Sequence, residues 1–385
     1  MASTAISPNS PASSGEMQAI DFSRVEEVRQ KHELLIEYIK LKSLDSLLIL
    51  DPANFAWFTA GADNFREVNG PPIAAILVTT EARVVLCNNV DSGEIFDKEL
   101  MGLGFLLKER PWTEGREVLL NDVCRGRNIG CDTHLPGTTL IADDLQPFRS
   151  HFMETEVERV TELGHDIAHA LEATGRNFPV GSTESEVAGH LAHRLMKNQI
   201  HPVRIQVMAD GQGWRYRHWK HGADRIERHC VISVMGRRSG LHVAATRTIC
   251  FDAPSDELDN VHQLATLVQA TGIYFSQPEW SFRETWKRVA RIYEKFEVPD
   301  EWRAAEQVEL LGYKTVEDQL TPDSPKCLQK NQLIHWHPSV RSSVVGDTFL
   351  ISEKGVENLT PVTNWPVLSV TVKGTKIDRP GILVR

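Results

Sequence analysis

The polar run WRYRHWKHGADRIERH, residues 214 to 229, interleaves aromatic rings with arginines and histidines, and His218 lies in its first half. Histidine changes charge near neutral pH, so a positioned His218 can serve as general acid and base. It can equally belong to a polar loop packed by Trp214 and Trp219. In IHWHPS, His335 and His337 alternate along a strand, so they share one face with Trp336 on the other. Arg247, in Thr-Arg-Thr, can grip a carboxylate through two parallel hydrogen bonds or satisfy local backbone and acidic groups. The stretch VISVMGRRSGLHVAATRTICF, residues 231 to 251, reads as strand, turn and strand, and it carries no carboxylate at all.

The elements that must position these residues follow from periodicity. Val25, Val28, Leu34, Leu35, Tyr38, Ile39 and Leu41 recur at helical spacing between about residues 22 and 42. SLLILD (46 to 51), IAAILVTT (73 to 80), ARVVLCNN (82 to 89) and NIGCD (128 to 132) read as strands. This pattern predicts an α/β domain over residues 21 to 150, preceded by a disordered Ser, Ala and Pro-rich leader over residues 1 to 20. Helices are predicted at 153 to 175 and 182 to 199, the second opened by a capping box between Thr183 and Glu186. Strands at 203 to 210, 229 to 236, 242 to 251, 332 to 340 and 345 to 355, with helices at 256 to 275 and 281 to 296, predict an α+β second domain over residues 151 to 385.

Composition bounds the partners. A length of 385 residues with 41% hydrophobic content suits more than one globular domain. The formal net charge of -10 argues against a phosphate-backbone binder, so no nucleic-acid partner is expected. No apolar run reaches the length of a membrane helix, and the start lacks the basic and apolar regions of a secretory signal. Six cysteines without a CxxC pair fit a reducing, cytoplasmic setting.

In the order FMETEVERVTELGHDIAHAL, VGSTESEVAGHL, YRH, SVMGRRSGL with ATRT, and VGDTFLISEKGVENLT, the sequence resembles the pita-bread superfamily of methionine aminopeptidases, prolidases and creatinase. The resemblance runs over about residues 152 to 360, and DPANFAWFTAG extends it to the N-terminal α/β domain of creatinase and the prolidases. YRHWKHG, GLHVAATRT, AEQVELLGY, WHPS, GDT and RPGILVR further resemble a narrower subgroup of that superfamily. The fold this implies is an α/β N-terminal domain followed by an α+β pita-bread C-terminal domain.

The peptidases of that superfamily hold two divalent metals with two Asp, one His and two Glu, as hard or borderline cations activating water require. The resemblance places those five positions on Val234, Ala244, Glu306, His337 and Gly346. Three of these residues have no ligating side chain and two have changed type, so a degenerate site and no cofactor are expected. Creatinase, which works without metal through one histidine, implies a catalytic role for His218. Glu306, His337 and Arg247 are expected to contact substrate; Glu306 with His337 could form a hydrogen-bonded pair, hold one weak metal, or merely fill the vacated space. A Phe-x-Arg element of creatinase-like members implies a similar role for Arg66, although Phe65 and Arg66 are adjacent here.

Three functions are compatible with these residues. The first is a metal-independent, creatinase-like hydrolase or lyase acting on a small nitrogenous or amino-acid-like substrate. The second is a non-catalytic protein binding a small molecule or short peptide in the old cleft, and the third a Xaa-Pro peptidase with rearranged ligands. The resemblance also implies a homodimer.

Overall fold

The computed structural model describes residues 20–67, 70–211, 217–353 and 355–385. The expected leader falls outside them except for Ile20, as do Trp214 and Tyr216 of the His218 run. The chain divides into two compact units, the first ending at Ile141 and the second running from Ala142 to Arg385.

The first unit is a six-stranded sheet with helices. Its strands are β1 (Ser46–Ile49), β2 (Ala75–Val78), β3 (Arg83–Asn88), β4 (Leu106–Arg110), β5 (Ile129–Cys131) and β6 (Thr139–Leu140), in the order β4-β3-β2-β1-β5-β6. β3 with β4, β1 with β5, and β5 with β6 are parallel, while β2 is antiparallel to both its neighbours. The helix Phe22–Leu41 starts where the Asp21 side chain accepts from the Ser23 and Arg24 amides, and it buries Val28, Leu35, Tyr38 and Ile39. Lys31, on the same buried stripe, is neutralised by Glu27 at 2.6 Å and donates to the Trp57 carbonyl at 2.6 Å. A buried charge must be paired in this way to be tolerated.

The second unit claims the helix Ala142–Ser150, because Arg149 pairs with buried Glu317 at 2.9 Å and Gln146 donates to the Glu317 carbonyl at 2.6 Å. The division therefore falls before Ala142 and not at Ser150, where the change of composition had suggested it. Two larger sheets and two of only two strands build the unit among the described residues. In one, β7 (His201–Ala209), β8 (His229–Arg238) and β9 (Leu241–Cys250) are antiparallel neighbours. In the other, β11 (Asp318–Gln319), β10 (Val308–Leu311), β12 (Leu333–Trp336), β15 (Asp347–Ser352) and β16 (Gly355–Asn358) lie side by side in that order, and short β13 (Ser339–Val340) and β14 (Ser343–Val344), between β12 and β15 in the chain, pair only with each other. A hairpin of β17 (Val367–Val372) and β18 (Thr375–Pro380) precedes β19 (Ile382–Val384), which closes the first sheet by pairing parallel with β9.

Helix packing fixes how the β7-β8-β9 sheet is oriented. The helix Glu154–Asn177 buries Val160, Leu163, Ile167 and Leu171, and a Cβ on Gly236 of β8 would meet Ile167 at 2.9 Å and Ile200 at 2.6 Å. That face of the sheet therefore belongs to the helices, and the other face is free to line a cleft. The helix Glu184–Lys197 begins with the expected capping box, Glu186 N–H donating to Thr183 Oγ1 at 3.2 Å and Thr183 N–H to Glu186 Oε2 at 2.7 Å.

Candidate functional site

Strand alternation sends Arg204, Gln206 and Met208 of β7, Ser233 of β8 and Thr246 of β9 to the face away from the helices, where they line a small cavity of about 40 Å³. The other wall comes from Glu309 of β10, His335 of β12, and His337 and Ser339 just beyond it. His218 and Glu306 stand at its mouth, His218 Nε2 lying 3.1 Å from Glu306 Oε2. The same two residues, with Ala305, also line an outer pocket of about 350 Å³ that includes Trp286, Trp302 and Leu320. His218 and Glu306 thus form the boundary between an inner polar space and an outer, partly aromatic one.

The inner wall is dominated by two histidines. Their rings stack at 4.7 Å, 16° from parallel, as their shared face requires, and Trp336 points the other way to donate to Ser276 Oγ at 3.0 Å. His335 Nδ1 lies 3.1 Å from the Asp347 carbonyl. Burial depresses its pKa from 6.5 to about 3, helped by the positive charge of Arg204. Burial also holds His337 well below its ordinary value, with His335 and Arg204 adding to the effect. Both rings are neutral across the physiological range. Glu309 shifts the opposite way, burial raising its pKa above 4.5 against the pull of Arg204.

This wall leaves hydrogen-bonding capacity unused. Arg204 Nε, Glu309 Oε2, His337 Nε2 and Ser339 Oγ are buried with no hydrogen-bond partner among the described residues. His337 Nε2 and Glu309 Oε2 face each other at 3.7 Å, too far for a direct bond. Buried polar groups are nearly always satisfied, so four such atoms around one cavity mark a place where something polar is meant to sit.

The carboxylate-free hairpin resolves into a definite geometry. Ser239 and Gly240 adopt φ of 49° and 78°, both left-handed, as in a two-residue turn that pairs Arg238 with Leu241. That register sets Ser233 opposite Thr246, with the Thr246 hydroxyl donating to Ser233 Oγ at 3.0 Å, and Val234 opposite Ala245. Val234 shares the helix-facing side with Gly236, so it is corrected as a position of the old metal face: it and Ala244 lie on opposite sides of the sheet. The Ser-Gly dipeptide carried this register in the sequence. Gly346 does face the cleft, but a Cβ there would meet Thr246 Oγ1 at 2.7 Å and His335 Cε1 at 3.4 Å.

The lining keeps two carboxylates, Glu306 and Glu309, among hydroxyls, two neutral imidazoles and a guanidinium, whose positive charge opposes a pair of divalent cations. Among the described residues no three of His, Cys, Asp and Glu converge as ligands would.

Arg247 is corrected as a substrate contact. Its side chain is fully buried, and Nη1 donates to Asp347 Oδ1 at 2.8 Å and Nη2 to the Thr360 carbonyl at 2.9 Å. Asp347 is also gripped by Arg379 and by the Thr360 hydroxyl, so the Arg-Thr and Asp-Thr strands are locked together behind the cleft. Arg66 belongs to the first unit, where it donates to Asp91 Oδ1 at 2.7 Å. Arg204, Arg217, Glu309 and Ser339 went unnoticed in the sequence. Arg204 and Glu309 did leave a signal: each is a charge set between apolar neighbours in a strand, in VRIQV and VELL.

No protein-family profile and no curated protein matches the sequence. Solved structures do. A prolidase from Pyrococcus horikoshii superposes with a TM-score of 0.75 at 17% identity, covering 87% of this chain and 99% of its own. An X-Pro aminopeptidase from Thermotoga maritima gives 0.73 at 17%, covering 86% and 98%. Aminopeptidase P from E. coli gives 0.70 at 14%, covering 89% and 96%.

Proposed function

This chain has the pita-bread fold, and from that premise we propose that it works without a dinuclear metal centre, taking a small nitrogenous or amino-acid-like ligand into the cleft and moving a proton on it through His218. The observation that carries this reading is the set of four unpartnered buried polar atoms around a cavity whose mouth is the His218–Glu306 pair. Glu306 as a carboxylate can only accept, so it draws the His218 proton to Nε2 and leaves a lone pair on Nδ1, the arrangement of a general base. Inside, Arg204 offers a donor to an oxygen or carboxylate, while Glu309 and His337 offer acceptors to N–H groups. A group bearing both polarities satisfies all of them together. The outer pocket, with Trp286 and Trp302, suits the less polar remainder of the molecule.

The test is incubation of the purified protein with a small-molecule extract of cells, followed by mass spectrometry. Expected is a compound consumed by the native protein and consumed at least about a hundredfold more slowly by His218→Ala and Glu306→Gln, the size of an acid-base contribution. Equal consumption by His218→Ala would overturn the assignment.

One observation favours a non-catalytic variant of the same reading. The His218 side chain is 65% exposed, and a proton carrier profits from shelter. Ligand retention without turnover, lost in Glu309→Ala but kept in His218→Ala, would select that variant. The reading also includes a homodimer, as the resemblance implies, checked by light scattering during size-exclusion chromatography.

A further inference from the structure

The first unit holds a second polar cavity, of about 280 Å³, at the point where β3 ends in Asn88 and β4 in Arg110. Two of its lining side chains carry opposite and unmet needs. Asp91 is only 3% exposed; Oδ1 accepts from Arg66 Nε at 2.7 Å, while Oδ2 has no partner among the described residues. Arg116, the first residue of the helix Arg116–Cys124, donates through Nη1 to the Pro72 carbonyl, while its buried Nη2 has no partner among the described residues.

Charge fixes the carboxylate end. Arg66 pairs with Asp91 through Oδ1 alone, and Arg110 is met by Glu114 at 3.3 Å and by Asp122 at 3.2 Å. Arg116 is left as the lining cation with no carboxylate at ion-pair distance among the described residues. Burial pushes the nearby Cys87 thiol up to about 12, so it stays protonated and suits a wall better than a nucleophile. At the rim, Trp112 is 66% exposed, its backbone held by a 2.7 Å bond from its N–H to Asn89 Oδ1.

We propose that this cavity binds a small α-amino acid, with its carboxylate on Arg116, its ammonium on Asp91 and its side chain against Trp112. A zwitterion supplies an acceptor to the unpartnered guanidinium nitrogen and a donor to the unpartnered carboxylate oxygen at once. An anion alone would leave Asp91 Oδ2 unmet, and a cation alone would leave Arg116 unmet. The site is built from the first unit alone and is independent of the reading of the cleft in the second.

Isothermal titration calorimetry on the full chain tests it, with L-leucine and L-phenylalanine and with each as its N-acetyl and its carboxamide derivative. Expected is saturable binding of one free amino acid per chain, weakened at least about tenfold by blocking either end. Arg116→Met and Asp91→Asn should weaken it similarly, which assigns the heat to this cavity. No saturable heat with either free amino acid up to about 10 mM would overturn the proposal, well above the millimolar reference point for weak binding. Binding that survives blockage of both ends, or that a folded Arg116→Met retains, would overturn it too. Should a variant fail to fold, the derivative series on the native protein decides alone.

Discussion

His335 and His337 stack face to face at 4.7 Å while a guanidinium, Arg204, shares their cavity, so the cleft keeps two imidazoles neutral beside a fixed positive charge. Such a pair makes stability depend on pH. The folded pKa of each is below the unfolded value, so above pH 6.5 neither state takes up a proton and the full stability is present. As pH falls through 6.5 the unfolded chain gains protons that the folded chain refuses, and stability drops, for His335 until about pH 3. At pH 5 the loss from His335 is about 2 kcal/mol, and His337 adds to it in the same direction. Urea unfolding at pH 7.5 and pH 5 measures it, and a His335→Gln, His337→Gln double variant should show a flatter profile.

Glu309 has the opposite linkage. Its pKa is raised on folding, so the folded chain holds an extra proton above pH 4.5 and loses stability as pH rises through the raised value. Glu309→Gln removes that slope. The variant should be at least as stable as the native protein at pH 8 by thermal melting, and it should lose affinity for whatever the inner cavity binds.

Arg247 holds the frame through Asp347, and both are buried. Arg247→Met leaves Asp347 with Arg379 as its one remaining cation among the described residues and should cost about 3 to 5 kcal/mol in equilibrium unfolding. A midpoint unchanged from the native protein would contradict the structural role assigned to it.

Gly346 has no room to become a ligand. Gly346→Ala places a methyl 2.7 Å from Thr246 Oγ1 and should destabilise by about 1 to 3 kcal/mol. Adding Thr246→Ala removes the nearest contact but leaves Thr246 Cβ at 3.2 Å and His335 Cε1 at 3.4 Å, so it should recover part of that loss, and differential scanning calorimetry on the single and double variants reads it directly.

Much of this was readable from the residues. The helix spacings, the Thr183 capping box, the shared face of His335 and His337, and the order of landmarks that implied a pita-bread fold all reappear in the structure, because each rests on local periodicity or local capping. What was misread rests on longer-range geometry. Val234 is the local exception: it was placed on the metal face by counting back from Gly236, whereas the Ser239–Gly240 turn, legible in the sequence, sets the register and turns that residue to the helices. Arg247 read either as a substrate contact or as a structural residue, and the second role holds, with partners, Asp347 and Thr360, about a hundred residues further along the chain. The pairing of His218 with Glu306 spans a comparable distance, and no spacing in the sequence announces it.

The central claim is that the cleft works without a dinuclear metal centre, and metal content tests it most directly. The tagless protein, purified without chelator, would be dialysed against Mn, Co and Zn at micromolar free concentration and then against buffer, and metal per chain counted by inductively coupled plasma mass spectrometry. The account predicts a content near zero for all three. About two metals per chain, lost together in Glu309→Ala and His337→Ala, would contradict it.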